Sequence, residues 1–234
     1  MRLAGHIFRK EFKSYFVSPI AYIVITVFLL VTGWFFFSTF FLINQANLRN
    51  FFNLLPFVFS FIVPAVTMRL FAEELNIGSY ETLLTMPVTF TDVIVGKFLA
   101  AVAFVAAMLL PTLIYAVTIA LLGRMDWGPV MGGYLGALLL GASFSAIGLF
   151  ASILSRNQII AFIIAMSICF CLTLIDKMLF FLPAAWLGLF DYLGAGAHFE
   201  NITKGVVDTR DLLYFFSLIF LGLYTTHMVM AEKR

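Results

Sequence analysis

Six stretches of this chain are apolar for about the length of a bilayer crossing, and this constrains the fold more than any motif in it. A membrane-spanning helix needs about 20 apolar residues. The stretches are residues 20–43, 54–71, 98–122, 130–154, 159–175 and 212–230. The fifth is the shortest and runs across Asp176, Lys177 and Pro183 into an apolar continuation, 180–190, which leaves its outer end open. Hydrophobic residues make up 63% of the chain and charged residues 11%. Soluble domains run near half apolar and a quarter charged, so lipid must solvate much of this surface. The expectation is an all-α integral membrane protein of about six transmembrane helices in one permease-like domain, 1–234.

The charges are few, and their placement sets orientation. With the N-terminus inside, Arg2, Arg9, Lys10, Lys13, Arg69, Lys97, Arg156, Lys233 and Arg234 lie on the cytoplasmic side. Arg49, Arg124, Lys204 and Arg210 lie outside, with Lys177 at a helix edge. This bias places both termini in the cytoplasm. A net charge of +2 gives no reason to expect nucleic-acid binding. The first apolar run is too long for a signal-peptide core and ends at no small-residue cleavage site, so residue 1 is expected to be mature. Cys169 and Cys171, at i, i+2 in an apolar run, point to different faces of a helix and read as small apolar residues rather than a disulfide or metal pair.

Residues 1–18 precede the first span. Leu3, Ile7, Phe8, Phe12, Tyr15 and Phe16 recur at helical spacing, and Arg2, Arg9, Lys10 and Lys13 fall largely opposite. This predicts an amphipathic interfacial helix ending before Pro19. It serves either as an anchor on anionic lipid or also as a surface touching a cytoplasmic partner; the two do not exclude each other.

Two loops are longer than the rest. The cytoplasmic one, 69–97, begins as an extension of the second helix through Glu73 and Glu74. Gly78 breaks that extension, Ser79 can cap a short helix over 80–86, and Pro87 ends it. Thr89 with Asp92 forms a capping box for the third span. The other long segment, 181–211, is apolar and aromatic but interrupted by Pro183, Gly188, Gly194 and Gly196. Phe180, Phe181, Trp186, Phe190 and Tyr192 fit an aromatic belt or short helices dipping into the outer leaflet.

The string Arg69, Glu73, Glu74, Gly78, Ser79, Glu81, Leu83, Leu84, Pro87, Gly96 and Lys97 resembles the loop between the second and third spans of ABC-2-type permeases: R-x-x-x-E-E-x-x-x-G-T, a leucine pair, a proline and G-K. His198, Phe199, Lys204 to Asp208, and Leu212 to Tyr214 are similar to that family's segment before the last span. The resemblance covers nearly the whole chain and is nearest to the small permeases associated with gliding motility and nitrous-oxide-reductase maturation. Ser79 replaces the usual Thr, and Asn76 stands where a basic residue is common. The resemblance implies one permease half of a bacterial inner-membrane exporter, paired with a second permease chain, identical or related, and with two ATPase subunits. It implies that Arg69, Glu73, Glu74, Gly78, Tyr80, Glu81, Leu83, Leu84 and Pro87 form the ATPase-coupling element. It further implies that re-entrant helices carrying Phe181, Trp186, Phe190, His198 and Phe199 close the outer end of the substrate path.

The residues themselves support part of this. The chain lacks G-x-x-x-x-G-K-[ST], and Gly96–Lys97 follows no phosphate-cradling loop, so ATP would be bound by a separate subunit. No catalytic, cofactor or metal residue is assigned. Ser143 and His227 differ in depth by roughly 12 Å at 1.5 Å per residue, too far for a nucleophile and its base. His198 and Glu200 make only two metal ligands, and a hydrogen-bonded interfacial His is the simpler reading. Gly132-x-x-x-Gly136 permits close helix approach, within this chain rather than between chains. The rival class is a membrane anchor or channel-like scaffold. Spans nearly free of charge argue against an ion path.

Overall fold

The computed structural model describes residues 2–43, 47–79, 89–123, 125–178, 192–206 and 208–233, and about 90% of the chain is helical. No strand occurs among the described residues. In chain order the helices are α1 (Arg2–Val17), α2 (Pro19–Ile43), α3 (Arg49–Thr67), α4 (Arg69–Ile77), α5 (Phe90–Leu109), α6 (Leu113–Leu122), α7 (Trp127–Leu154), α8 (Gln158–Leu174), α9 (Ala195–Thr203) and α10 (Thr209–Glu232). Five stretches are long and apolar enough to cross a membrane: α2, α3 with α4, α5 with α6, α7, and α10. The sixth expected span is α8, a shorter apolar helix of 17 residues. This is an all-α, multi-pass membrane architecture.

Breaks fall where the residues require them. α1 stops at Val17 and Pro19 opens α2, because proline is tolerated only in the first turn. Pro111 interrupts the third crossing with a 3-10 turn, Leu110–Thr112. Thr89 caps α5 by accepting from the Asp92 N–H at 3.2 Å, and Gly78 takes the left-handed φ of 78° that ends α4. The second crossing does not run smoothly past Arg69 as expected. It breaks at Met68, between Thr67 and Arg69, one turn after Pro64.

α7 is the axis of the bundle. Its apolar stretch is 78% buried, against 28% for α2 and 22% for α10. Its small residues explain the difference. Side-chain methyls added at Gly132 and Gly148 would collide with the Ile202 carbonyl of α9 and the Thr67 hydroxyl of α3. Gly136 lies against Ile202 and Phe199, so the expected close approach of the Gly132/Gly136 face is made within the chain. Aromatic side chains fill the rest of the core: Phe28, Phe51, Phe52, Phe59, Phe144, Phe199 and Phe215 are all buried. Polar contacts between helices are few and satisfied. Ser60 of α3 and Thr173 of α8 are hydrogen-bonded at 2.9 Å, and each also donates to, or shares, a carbonyl one turn back in its own helix.

α1 packs along α5 and the start of α2. Ala4 and Tyr15 are buried, and Gly96 of α5 offers the flat spot on which Ala4 and Ile7 rest. The helix is amphipathic, as expected, but its apolar face is covered by protein more than by lipid.

Candidate functional site

The ends of α1, α4 and α5 meet around one side chain. Lys97 sits on the second turn of α5, just inside an apolar run, and only 1% of its side chain is exposed. A charge placed there needs partners, since desolvating an unpaired ammonium is prohibitive. It has three acceptors: Glu11 Oε1 of α1 at 3.0 Å, Glu74 Oε1 of α4 at 2.8 Å and the Leu70 carbonyl at 2.7 Å. The Phe71 ring lies 5.1 Å from the ammonium. One cation thus fastens two surface helices to the foot of a transmembrane helix.

Beside it, Arg69 stacks over the Tyr15 ring at 5.0 Å. The Tyr15 hydroxyl reaches the Val66 carbonyl at 3.4 Å. Burial pushes the Tyr15 phenol well above its usual range, Arg69 draws it partly back and Glu11 adds to the rise. Tyr15 therefore remains a neutral donor at any physiological pH.

α4 has no side-chain cap of its own. Ser152 of α7 supplies one: its Oγ accepts from the Phe71 and Ala72 N–H groups at 2.9 and 3.0 Å and donates to the Met68 carbonyl at 2.7 Å. These are groups orphaned by the break at Met68. On the same side, Lys233 donates to the Ile153 carbonyl at 2.5 Å and so caps the C-terminal end of α7. Burial lowers its pKa, and Arg156 lowers it further.

The expected coupling residues divide accordingly. Arg69, Glu73, Glu74 and Gly78 are gathered on α4. Tyr80, Glu81, Leu83, Leu84 and Pro87 lie outside the described residues. Glu73 is exposed, with no ion-pair partner among the described residues. Glu74 is a correction. It was expected to project away from the membrane beside Glu73, but it folds back onto Lys97, because the buried ammonium needs a second carboxylate. Sequence reading missed Lys97 and Glu11 as a pair. The signal was present in a lysine set inside an apolar helix with acids on both flanking segments.

At the opposite end of the bundle, His198 of α9 joins Asp211 of α10, Nδ1 to Oδ1, at 2.6 Å. Its Nε2 lies 3.0 Å from the Tyr192 carbonyl. A carbonyl only accepts, so Nε2 carries a hydrogen, and a further proton lies between Nδ1 and the carboxylate. Tyr214 stacks on the imidazole at 4.1 Å and donates to the Leu193 carbonyl at 2.7 Å. Asp176 packs against Gly196, where an added methyl would meet its carboxylate at 2.6 Å. Phe199 is buried against α7. Phe181, Trp186 and Phe190, the other expected gate residues, lie outside the described residues. His198 has both ring nitrogens engaged, and Glu200 faces Lys204 and Arg49 instead, so the two do not converge as metal ligands.

This cluster yields a stability prediction. His198→Ala strands the buried Asp211 carboxylate and is expected to cost about 3 kcal/mol. Asp211→Asn, whose amide can donate to Nδ1, is expected to cost about 1 kcal/mol or less. Thermal unfolding in detergent ranks the two; the reverse order would refute the assigned pairing.

Ser143 donates to the Leu139 and Phe215 carbonyls, while His227 lies against Phe90 roughly three turns further along α10. They are not a catalytic pair. A scan against protein-family models finds no match for this chain, and a search of curated proteins finds none either.

Proposed function

We propose that this chain is the membrane-spanning half of an ATP-driven exporter in a bacterial inner membrane, with both termini in the cytoplasm. Two such halves, identical or related, pair with two separate ATPase subunits. The observation that carries the reading is the Lys97 clamp. The segment 69–97 both leaves and re-enters the bundle beside it, and the clamp ties α4 and α1 to α5. A push delivered to that segment by a closing ATPase would move the second and third crossings together as a rigid body. The motif resemblance of Arg69, Glu73, Gly78, Tyr80, Glu81, Leu83, Leu84 and Pro87 supports the same assignment, as does the lack of a nucleotide-binding loop. His198 and Phe199 hold the short helix at the far end, where the outer closure of the substrate path is assigned.

In this scheme Glu73 pairs with a basic residue of the ATPase, and Leu83 and Leu84 fill an apolar groove on it. Glu74 is excluded from that role because Lys97 holds it. Glu73→Ala and, separately, Leu83→Asp are expected to insert normally in the membrane but to recruit less ATPase and to lose transport. Affinity co-purification from membranes measures recruitment. Wild-type recruitment and transport in both variants would sink the coupling assignment and leave a non-transporting scaffold.

A further inference from the structure

Between α1 and α4 lies an open cavity of about 220 Å³, lined by three cations, Lys10, Arg69 and Lys97, and three carboxylates, Glu11, Glu73 and Glu74. Two of its groups are left incomplete. Arg69 is half-buried and stacked on Tyr15, yet its guanidinium has no acceptor among the described residues. Glu74 offers Oε1 to Lys97, but its Oε2 is buried with no donor. Orphaned polar atoms of this kind call for a partner. An inorganic anion would complete only the arginine, and a metal cation only the carboxylate. The lining charges cancel, which disfavours any ligand with a large net charge. The position matters as well. The cavity opens where an amphipathic helix and the feet of two spans meet, the depth at which lipid headgroups lie.

We propose that this cavity holds the headgroup of an aminophospholipid of the phosphoethanolamine class, with its phosphate on Arg69 and Lys10 and its primary ammonium on Glu74 Oε2. Guanidinium matches phosphate through paired N–H donors. The ammonium donates to the free carboxylate oxygen, which the trimethylated headgroup of a choline lipid cannot do. The proposal does not depend on the exporter reading, since it concerns the isolated chain.

The test uses the full chain purified in detergent without any ATPase. It is incubated with phosphatidylethanolamine or phosphatidylcholine of the same acyl chains, and retained lipid is read by native mass spectrometry. The ethanolamine lipid is expected to be retained roughly tenfold more strongly, the size of one charge-assisted hydrogen bond. Arg69→Gln should weaken its retention by a similar factor, and Arg69→Lys should restore much of it. Ser14→Phe, which fills the cavity from α1 and leaves every charged group in place, should abolish the preference. Glycerophosphoethanolamine should compete, and inorganic phosphate at the same concentration should not. Equal retention of the two lipids would overturn the proposal. So would an unchanged preference in both Arg69→Gln and Ser14→Phe, or competition by phosphate equal to that by the headgroup, which would make free phosphate the ligand.

Discussion

Lys97→Met is expected to release α1 from the bundle and to cost about 3–5 kcal/mol, the range for breaking a buried ion pair by removing one partner. The methionine fills the apolar volume of the lysine stem, so the loss is electrostatic. Glu11 and Glu74, at 14% and 15% exposure, would face each other with no cation between them. The Leu70 carbonyl would lose its donor as well. Because the two carboxylates sit on different helices, their repulsion separates α1 from α4. A cysteine at Ala4, which is buried against α5, reports this directly. It should be protected from thiol reagents in the parent chain and labelled in the Lys97→Met background. Adding Glu11→Gln and Glu74→Gln to Lys97→Met should recover most of the stability, since the stranded charges are then gone. If the triple variant is no more stable than the single one, the clamp is not electrostatic.

Ser152→Ala is expected to have the second largest effect, about 2–4 kcal/mol from one deleted oxygen. That hydroxyl serves two N–H donors and one carbonyl at the break between α3 and α4, all buried. No water-exposed alternative exists for Phe71 and Ala72, which are fully buried. Ser152→Thr keeps the hydroxyl but adds a methyl in a crowded helix face, so it should lie between the two. Hydrogen exchange localises the effect: the amides of Phe71 and Ala72 should lose protection while those in the middle of α7 keep theirs. Uniform loss across α7 would mean that the serine acts by packing instead.

Much of this fold was legible in the sequence because apolar run length is a one-dimensional property. Runs of about 20 residues bounded by Asn, Asp, Pro and Gly mark α2, α7 and α10, and the Thr89 cap and the Gly78 stop follow from local backbone chemistry. The break at Met68 was not legible. Its cause is three-dimensional: a serine far along the chain supplies the acceptor that lets α4 restart, and Gly148 leaves room for Thr67 beside it. The coupling residues were placed on the right segment, but Glu74 was given the wrong direction. Side-chain direction there depends on Lys97 of α5 rather than on neighbours in the sequence. The His198–Asp211 pair was half visible: the sequence marked His198 as a satisfied interfacial residue but did not supply its partner.

The exporter reading turns on whether a separate ATPase works through this chain. The direct measurement is ATP hydrolysis by this chain alone and by its complex with the ATPase encoded beside it, both reconstituted in lipid vesicles. The account predicts no hydrolysis by the chain alone, a stable complex with equal numbers of the two subunits, and hydrolysis in that complex that falls when Glu73 is replaced by Ala. Hydrolysis by the purified chain free of any second subunit, or no association with the ATPase at all, would contradict it.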